Sequence, residues 1–299
     1  MSDSTLPTFS VIIPTHGRPK PLAECLESLS LLDYPRDRFD VVVVDDGSPQ
    51  PIDAVVAALR DRLAITLIRQ SQSGPGNARN TAVAHATGRF LAFLDDDCTA
   101  APDWLRCLAV ALTDAPDCVV GGRIINGLPG IATSTASQLL ISYLYQYFNP
   151  DPDNAVFFAG NNFAMSAGGY GLIGGNKATM MLAGAEDREF FDRWVHAGRR
   201  MIYAPEALIC HAHAMNLRQF CCQHFRYGRG ACLFHGVRTK RGGAPLNILP
   251  LRFYVGLVLY PLGKIRGVRA LWLAGLMAAS QAATMAGYFY ERFHGPRDW

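Results

Sequence analysis

The sequence predicts an α/β domain built on a mostly parallel sheet with helices on both faces. Short apolar runs alternate with segments of helical spacing through the first 121 residues. Two of these runs end in acidic clusters, Asp45-Asp46 and Asp95-Asp96-Asp97. Such alternation is typical of parallel strands joined by crossover helices. The chain is 49% hydrophobic, which is enough apolar material for a packed core.

The predicted elements follow one another in order. Apolar runs predict strands at residues 9–14, 40–44, 64–69, 90–94 and 118–121. Apolar residues at helical spacing predict helices near 22–29, 52–63, 77–86 and 103–112, with Asn77 as a cap. The segment 137–148 has an aromatic helical face, which suits core packing or a ligand groove. A helix is expected to open at 185–191, followed by strands at 201–203 and 207–210.

The acidic clusters are predicted to converge in space. Right-handed crossovers place the carboxyl ends of parallel strands along one edge of the sheet. Ligands of open α/β sheets bind at that edge. Pro14, Thr15 and both acidic clusters come at strand ends.

The carboxylate triplet at residues 95–97 indicates a cation site. Repulsion makes three adjacent carboxylates costly unless a cation or hydrogen-bond donors compensate. Hard divalent ions such as Mg²⁺ and Mn²⁺ prefer oxygen ligands. An open metal position facing an anionic ligand is the expected use.

Charge is divided unevenly along the chain. Residues 1–213 carry 16 Lys+Arg and 23 Asp+Glu, which is −7, whereas residues 214–299 carry 12 and 2, which is +10. We therefore expect a catalytic domain over 1–213 and a helical, basic and apolar extension over 214–299. A basic extension suits an anionic membrane surface or a phosphorylated acceptor. No recognition motif supports nucleic acid binding.

The extension contains 21 uncharged residues at 270–290, flanked by basic residues. As a helix this segment is roughly 31 Å long, enough to span a bilayer. Its many alanines leave three alternatives: a spanning helix, a helix lying on or dipping into the membrane, and a soluble packing helix.

The eight cysteines form no C-x-x-C pair, and the first residues show no basic-then-apolar leader. These features predict free thiols in a reducing cytoplasm. A zinc site is an alternative for one sequence cluster, although its spacing fits no standard finger. The cluster consists of Cys210, His211, His213, Cys221, Cys222 and His224.

Five segments of the chain occur in an order that is typical of one enzyme family. The segments are Phe9-Ser10-Val11-Ile12-Ile13-Pro14-Thr15, Val44-Asp45-Asp46-Gly47-Ser48, Gly76-Asn77-Ala78-Arg79-Asn80, Phe93-Leu94-Asp95-Asp96-Asp97 and Ala185-Glu186-Asp187. They resemble family 2 glycosyltransferases of the GT-A fold, whose sheet is Rossmann-like, and the resemblance covers about residues 8–230. It implies transfer of a sugar from a nucleotide diphosphate sugar, with inversion at the anomeric carbon.

The resemblance implies a metal and donor site. Asp97 resembles the last Asp of the family's D-x-D motif, so it is expected to bind Mn²⁺ or Mg²⁺. Asp95 is expected to contact the ribose or the ion. A divalent cation would neutralise the diphosphate leaving group as the sugar–phosphate bond breaks. The remaining expected donor contacts are Pro14, Thr15, Asp45, Asp46, Arg79 and Arg226, with Asp45 alternatively bracing its loop.

The resemblance also implies a base and an acceptor loop. Inverting transfer needs a base to deprotonate the acceptor hydroxyl. Asp187 matches that position, and Glu186 is expected to orient the base or the acceptor. Asn161 and Asn162 resemble the acceptor-side G-x-N loop. His211, or alternatively His213, is expected to complete the metal site.

Two other classes compete with this interpretation. A sugar-1-phosphate nucleotidyltransferase shares a similar sheet, but it is expected to carry a Gly-rich, Arg-containing loop after its first strand. A catalytically silent scaffold of the same fold is opposed by intact Asp95, Asp97 and Asp187. The favoured acceptors are a cell-envelope glycan, a lipid-linked or a peptide-linked hydroxyl, used at the cytoplasmic face of the membrane.

Overall fold

A computed structural model describes residues 6–177, 184–242 and 249–295. One eight-stranded sheet forms its centre, in the order β3-β2-β1-β4-β7-β6-β8-β5. Four of the seven strand pairings are parallel. The other three, β4 with β7, β6 with β7 and β5 with β8, are antiparallel. The strands are β1 (Phe9–Thr15), β2 (Phe39–Asp46), β3 (Ile65–Gln70), β4 (Phe90–Leu94), β5 (Cys98–Ala100), β6 (Val119–Asn126), β7 (Asn162–Ser166) and β8 (Met201–His211).

Ten α-helices lie in the described residues. They are α1 (Pro19–Ser30), α2 (Asp53–Ala57), α3 (Pro75–Ala84), α4 (Trp104–Asp114), α5 (Ala132–Phe148), α6 (Ala167–Ile173), α7 (Glu186–His196), α8 (Leu217–Lys240), α9 (Leu251–Lys264) and α10 (Val268–His294). The main core lies between the sheet and these helices, because β1, β2 and β4 are buried along nearly their whole length.

The predicted α/β class is confirmed, with local differences. The helix predicted at 52–63 is limited to α2, and the two strands predicted at 201–203 and 207–210 are one strand, β8. Asn77 does not cap α3: Gly74 does, with a φ of 90° that favours glycine, and the Asn77 side chain donates to the Ser73 carbonyl at 2.8 Å. The antiparallel strand β7 was not anticipated, because its five residues lie in a segment without clear periodicity.

The C-terminal helices pack on one another and on α5. Gly228 of α8 and Gly287 of α10 each lie where a Cβ would overlap the backbone of the opposite helix, so glycine permits their close approach. Arg229 donates to Glu291 at 2.6 Å between these helices. The aromatic face of α5 packs against Phe253 and Leu257 of α9, which supports core packing for that face.

The segment 270–290 lies within α10. Among the described helices, none combines the length and the apolar character needed to cross a membrane. The spanning alternative is therefore removed for this segment.

Candidate active site

A cavity of about 490 Å³ opens at the carboxyl edge of the sheet. Its lining runs from the loops after β1 and β2, past the loop after β4, to β6 and α5. Pro14, Thr15, Asp46, Asp95 and Asp97 all contribute to this lining. The two acidic clusters, which lie about 50 residues apart, thus meet at one site as the strand topology predicts.

A carboxylate and two imidazoles meet on the floor of the cavity. Asp97 follows β4, whereas His211 ends β8 and His213 follows it. Pairing of β5 with β8 brings the two segments together, and the Ala212 amide donates to the Asp97 carbonyl at 2.9 Å. One ligand atom from each of these three side chains lies within 4.8 Å of the other two. Asp97 Oδ1 is 3.3 Å from His211 Nε2, and Asp97 Oδ2 is 3.5 Å from His213 Nδ1.

The electrostatics of this cluster keep Asp97 ionised. Burial alone would raise its pKa, but hydrogen bonds from His211 and His213 and the charge of Arg18 hold that pKa well below its usual range. Gln223 Oε1 lies 2.9 Å from His213 Nε2, so this amide oxygen can accept the imidazole N–H and turn Nδ1 towards Asp97.

The donor set fits a divalent transition ion. One carboxylate and two imidazoles suit Mn²⁺ better than Mg²⁺, which prefers all-oxygen ligands. Among the residues that the structure describes, this is the single cluster of His, Cys, Asp or Glu that could hold a metal. The cysteines of the alternative zinc cluster do not join it. Both His211 and His213 belong to this cluster, whereas the sequence analysis favoured His211 and gave His213 as the alternative.

Asp95 does not join the metal cluster. Its Oδ1 accepts from Arg79 Nη2 at 2.8 Å, and Arg79 Nη1 donates to Asp187 at 3.1 Å. Arg79 is only 3% exposed and also donates to the Gly160 carbonyl at 3.3 Å. The Arg79 guanidinium therefore bridges Asp95 and the expected base Asp187, although these two residues are 92 positions apart in the sequence.

The expected base lies at the start of α7 within the cavity lining. Burial raises the pKa of Asp187, although the Arg79 charge and a hydrogen bond from the Gly160 amide oppose the shift. Glu186 is 5% exposed, and burial and the Asp187 charge raise its pKa to about 8. A Cβ at Gly160 would overlap the Asp187 carboxylate, so glycine permits this contact.

Asp46 organises the other end of the cavity. Its carboxylate accepts from Gln70 Nε2 at 2.8 Å and from the Ser73 and Gly74 amides at 2.9 and 2.8 Å. The 73–74 turn is thereby fixed beside the start of α3. Pro14 lines the cavity here, and the Thr15 hydroxyl donates to Asp96 at 2.5 Å.

Arg18 compensates the charge of the triplet, a role that the sequence analysis did not assign. It lies 2.6 Å from Asp96 and 2.7 Å from Asp97. Asp96 is fully buried, and this burial raises its pKa to about 7 despite Arg18 and Thr15. The cost of adjacent carboxylates predicted that a cation or donors must lie nearby, but the pattern did not indicate which residue provides them.

Comparison with known proteins agrees with this geometry. The family model described as Glycosyl transferase family 2 matches residues 10–170. The chain belongs to this family. It is 30% identical over 246 residues to the pre-mycofactocin glycosyltransferase of Mycobacterium tuberculosis, covering 80% of this chain and 50% of that protein. It is 34% identical over 134 residues to glycosyltransferase AglE of Haloferax volcanii, covering 44% of each.

Among solved structures, the mannosyltransferase PcManGT from Pyrobaculum calidifontis, in complex with GDP-Man and Mn²⁺, aligns with a TM-score of 0.64. The two sequences are 22% identical, and the alignment covers 99% of this chain and 78% of the mannosyltransferase chain. This similarity shows the fold. The chain spans half or less of these two curated relatives. The chain thus belongs to glycosyl transferase family 2, and it combines a GT-A fold with a helical C-terminal extension.

Three residues expected at the family 2 site lie elsewhere. Asp45 is buried beneath it and accepts from the Ser48 amide at 2.8 Å, so it braces the loop, the alternative given for it above. Asn162 is fully buried, accepts from Trp104 Nε1 at 2.9 Å and donates to two carbonyls. Arg226 is exposed on α8 and does not line the cavity. A motif gives the position of a residue along the chain, but it does not show whether the side chain faces the cavity or points away from it.

Asn161, by contrast, lines the cavity. It is 7% exposed, and its Oδ1 has no hydrogen-bond partner among the described residues. Gln223 and Tyr227 also line the cavity, on the same helix α8 as the exposed Arg226.

Proposed function

We propose that the protein is a metal-dependent, inverting glycosyltransferase that moves a sugar from a nucleotide diphosphate to a hydroxyl acceptor. The acceptor classes considered are a cell-envelope glycan and a lipid-linked or peptide-linked hydroxyl. One observation carries this proposal: the Asp97–His211–His213 cluster and the partly buried carboxylate of Asp187 line the same cavity. A leaving-group site and a base site therefore lie in one pocket.

The proposed reaction is a single displacement. Asp187 takes the proton of the acceptor hydroxyl, whose oxygen forms a bond to the anomeric carbon. The bond from that carbon to the diphosphate oxygen breaks, and the electron pair leaves with the nucleotide diphosphate. The raised pKa of Asp187 makes its carboxylate a stronger base than that of an exposed aspartate, and the Arg79 guanidinium at 3.1 Å favours the ionised form.

The leaving group is assigned to the metal cluster. Asp97, His211 and His213 would hold the ion, and a bound divalent ion supplies charge neutralisation for the departing diphosphate. Arg79 adds a fixed positive charge between Asp95 and Asp187. We assign Pro14, Thr15, Asp46 and Asp95 to donor binding, and Glu186 and Asn161 to positioning of the acceptor.

A donor screen tests the proposal. Purified protein is incubated with a panel of nucleotide sugars that includes GDP-mannose and UDP-GlcNAc, with Mn²⁺, Mg²⁺ or chelator, and released nucleotide diphosphate is measured. We expect chelator-sensitive release from one donor, stronger with Mn²⁺ and lost in Asp97→Ala. Release that is unchanged by chelator and by Asp97→Ala would contradict the metal assignment. Donor binding without release in any condition would favour the scaffold class.

We further propose that α9 and α10 dock on the anionic, cytoplasmic face of a membrane. Both helices have apolar outer faces. On α9, Val255 and Leu259 are 47% and 49% exposed, and on α10, Leu271, Trp272 and Phe293 are 64%, 56% and 77% exposed. Glu291 is the sole acidic residue at positions 249–295, and it is buried. Basic residues flank the apolar face at Arg252, Lys264, Arg266, Arg269 and Arg292. Apolar faces with basic flanks bind anionic lipid surfaces.

Vesicle sedimentation tests this docking. We expect the protein to pellet with vesicles that contain phosphatidylglycerol and much less with pure phosphatidylcholine vesicles. The double variant Leu271→Ser/Trp272→Ser should lower the bound fraction several-fold, whereas Val110→Ser, which removes a 54% exposed valine on α4, should not. A dimer that forms through the same face without lipid binding would contradict the proposal.

A further inference from the structure

The far end of the active-site cavity is walled by hydrocarbon. Ile124 of β6, Leu140, Ile141 and Leu144 of α5, and Phe157 and Phe158 line it. Of the polar side chains beside these residues, Gln138 and Asn126 are engaged in hydrogen bonds, and the Ser137 hydroxyl also lines the cavity. The Gln138 amide donates to the Ile124 carbonyl at 2.8 Å, and Asn126 Oδ1 accepts from the Leu128 amide and the Ser134 hydroxyl at 2.8 and 2.7 Å. This wall thus offers apolar contact.

The wall lies on the acceptor side of the base. Across the sheet, Asp46 is the last residue of β2, the triplet follows β4, and Ile124 belongs to β6. Asp187 lies between these ends because it contacts Gly160, two residues after Phe158. The nucleoside end and the apolar end are therefore on opposite sides of the base.

A polar contact for a hydroxyl stands between the base and the apolar wall. Asn161 is more than nine-tenths buried, and its Oδ1 has no partner among the residues described. Glu186 is also more than nine-tenths buried, and its Oε2 likewise has no hydrogen-bond partner among the described residues. A buried acceptor atom without a partner is costly, and an incoming hydroxyl would satisfy it.

The apolar wall is continuous with the proposed membrane-facing helices. Leu140 and Leu144 line the cavity and also pack in the cluster formed with Phe253 and Leu257 of α9. The outer face of α9 exposes Val255 and Leu259, which are 47% and 49% exposed. A hydrocarbon chain that leaves the cavity along α5 therefore meets apolar surface.

We infer that the acceptor is lipid-linked, with its reacting hydroxyl at Asp187 and Asn161 and its hydrocarbon chain against Ile141 and the α5 wall. The inference rests on the proposed function, since it names the acceptor class of the same site. A free glycan or a polar peptide would leave the wall in contact with water and gain nothing from it.

Binding of a chain-length series tests this inference without knowledge of the donor. Methyl, butyl and octyl β-glucosides are titrated below micelle formation, and binding is followed by saturation-transfer NMR in Mg²⁺ buffer. We expect saturation of the alkyl protons, and octyl binding about tenfold or more tighter than methyl binding. Ile141→Asn should remove most of this difference, and Ile141→Thr, a smaller change, should reduce it.

Leu271→Asn on the outer face of α10 is the matched control. If it abolishes the alkyl signal while Ile141→Asn retains it, the chain binds outside the cavity and the inference is overturned. Equal binding of the three glucosides would also overturn it and favour a glycan or peptide acceptor. Chelator-sensitive donor hydrolysis together with chain-length independence would leave the proposed function intact. Alkyl binding in the cavity without donor turnover would overturn the proposed function instead.

Discussion

The carboxyl edge of the sheet and the C-terminal helices use charge in opposite ways. The edge gathers acidic groups, several of them buried, around Arg18 and Arg79. The helices carry basic groups on their surface and bury the Arg229–Glu291 pair between α8 and α10. Burial of like charges lowers the free energy of unfolding, whereas close packing of helices raises it. The edge is therefore expected to trade stability for activity, and the helices to provide stability without acting in the reaction.

We expect the largest effect from substitution of the proposed base, which should lower activity without lowering stability. Asp187→Asn should lower sugar transfer about 10²- to 10⁴-fold, because the amide cannot accept the proton. Donor binding, measured by titration calorimetry, should change little. Since burial disfavours the charged carboxylate, the melting temperature should not fall. Asp192→Asn, on the same helix but paired with Arg238, is the control.

The pH profile provides a second reading of the same residue. Transfer needs ionised Asp187, and burial raises its pKa. Activity should therefore be full above that raised value and fall as pH drops through it, at a higher pH than the usual range of an aspartate. Near-normal transfer by Asp187→Asn, or an acid limb at the pH of an exposed aspartate, would exclude Asp187 as the base.

The next effect tests how closely the edge is packed. Gly160→Ala should lower transfer about 100-fold, because the added methyl overlaps the Asp187 carboxylate and displaces it. Gly168→Ala, where a Cβ meets nothing within 4 Å, should leave kcat/KM nearly unchanged. If both variants behave alike, the contact between Gly160 and Asp187 has no role in catalysis.

The metal cluster provides a smaller and more specific test. His213→Ala should weaken Mn²⁺ binding about tenfold or more, because one of the three proposed nitrogen and oxygen ligands is lost. His235→Ala on α8 serves as the control, since His235 lies outside the cluster. Mn²⁺ titration of activity and of intrinsic fluorescence measures both. Unchanged affinity in His213→Ala together with a loss in His211→Ala would restrict the site to the single histidine that the sequence favoured.

The same contrast explains what the sequence could predict. Apolar periodicity and strand topology brought Asp46, Asp95 and Asp97 to one edge, because parallel strands end together. Periodicity is silent on the partners of each charge, which arrive from distant segments. Arg79 contacts Asp187 across 108 residues, and Arg18 contacts Asp97 across 79. Motif spacing therefore located the site but not its ion pairs.

The C-terminal helices show the opposite limit. Their composition predicted apolar helices with basic flanks, and α9 and α10 have that form. Composition alone could not assign residues to inner and outer faces, because both faces of α10 are apolar. Leu273 and Met277 are fully buried, whereas Leu271 and Trp272 are exposed. The single acidic residue of this region, Glu291, looks like a surface residue in the sequence, but it is buried opposite Arg229.

The smallest effect tests whether that pair acts in stability alone. Glu291→Gln keeps a hydrogen-bond acceptor for Arg229 but removes the buried countercharge, so we expect a loss of about 1–2 kcal/mol in the free energy of unfolding. Urea denaturation measures it, with Glu206→Gln on an exposed stretch of β8 as the control. Transfer at 25 °C should stay within about twofold of the wild type, because the substitution does not touch the cavity lining. A large loss of kcat at unchanged stability would contradict the division of roles, since it would mean that packing of α8 on α10 controls the reaction at the sheet edge.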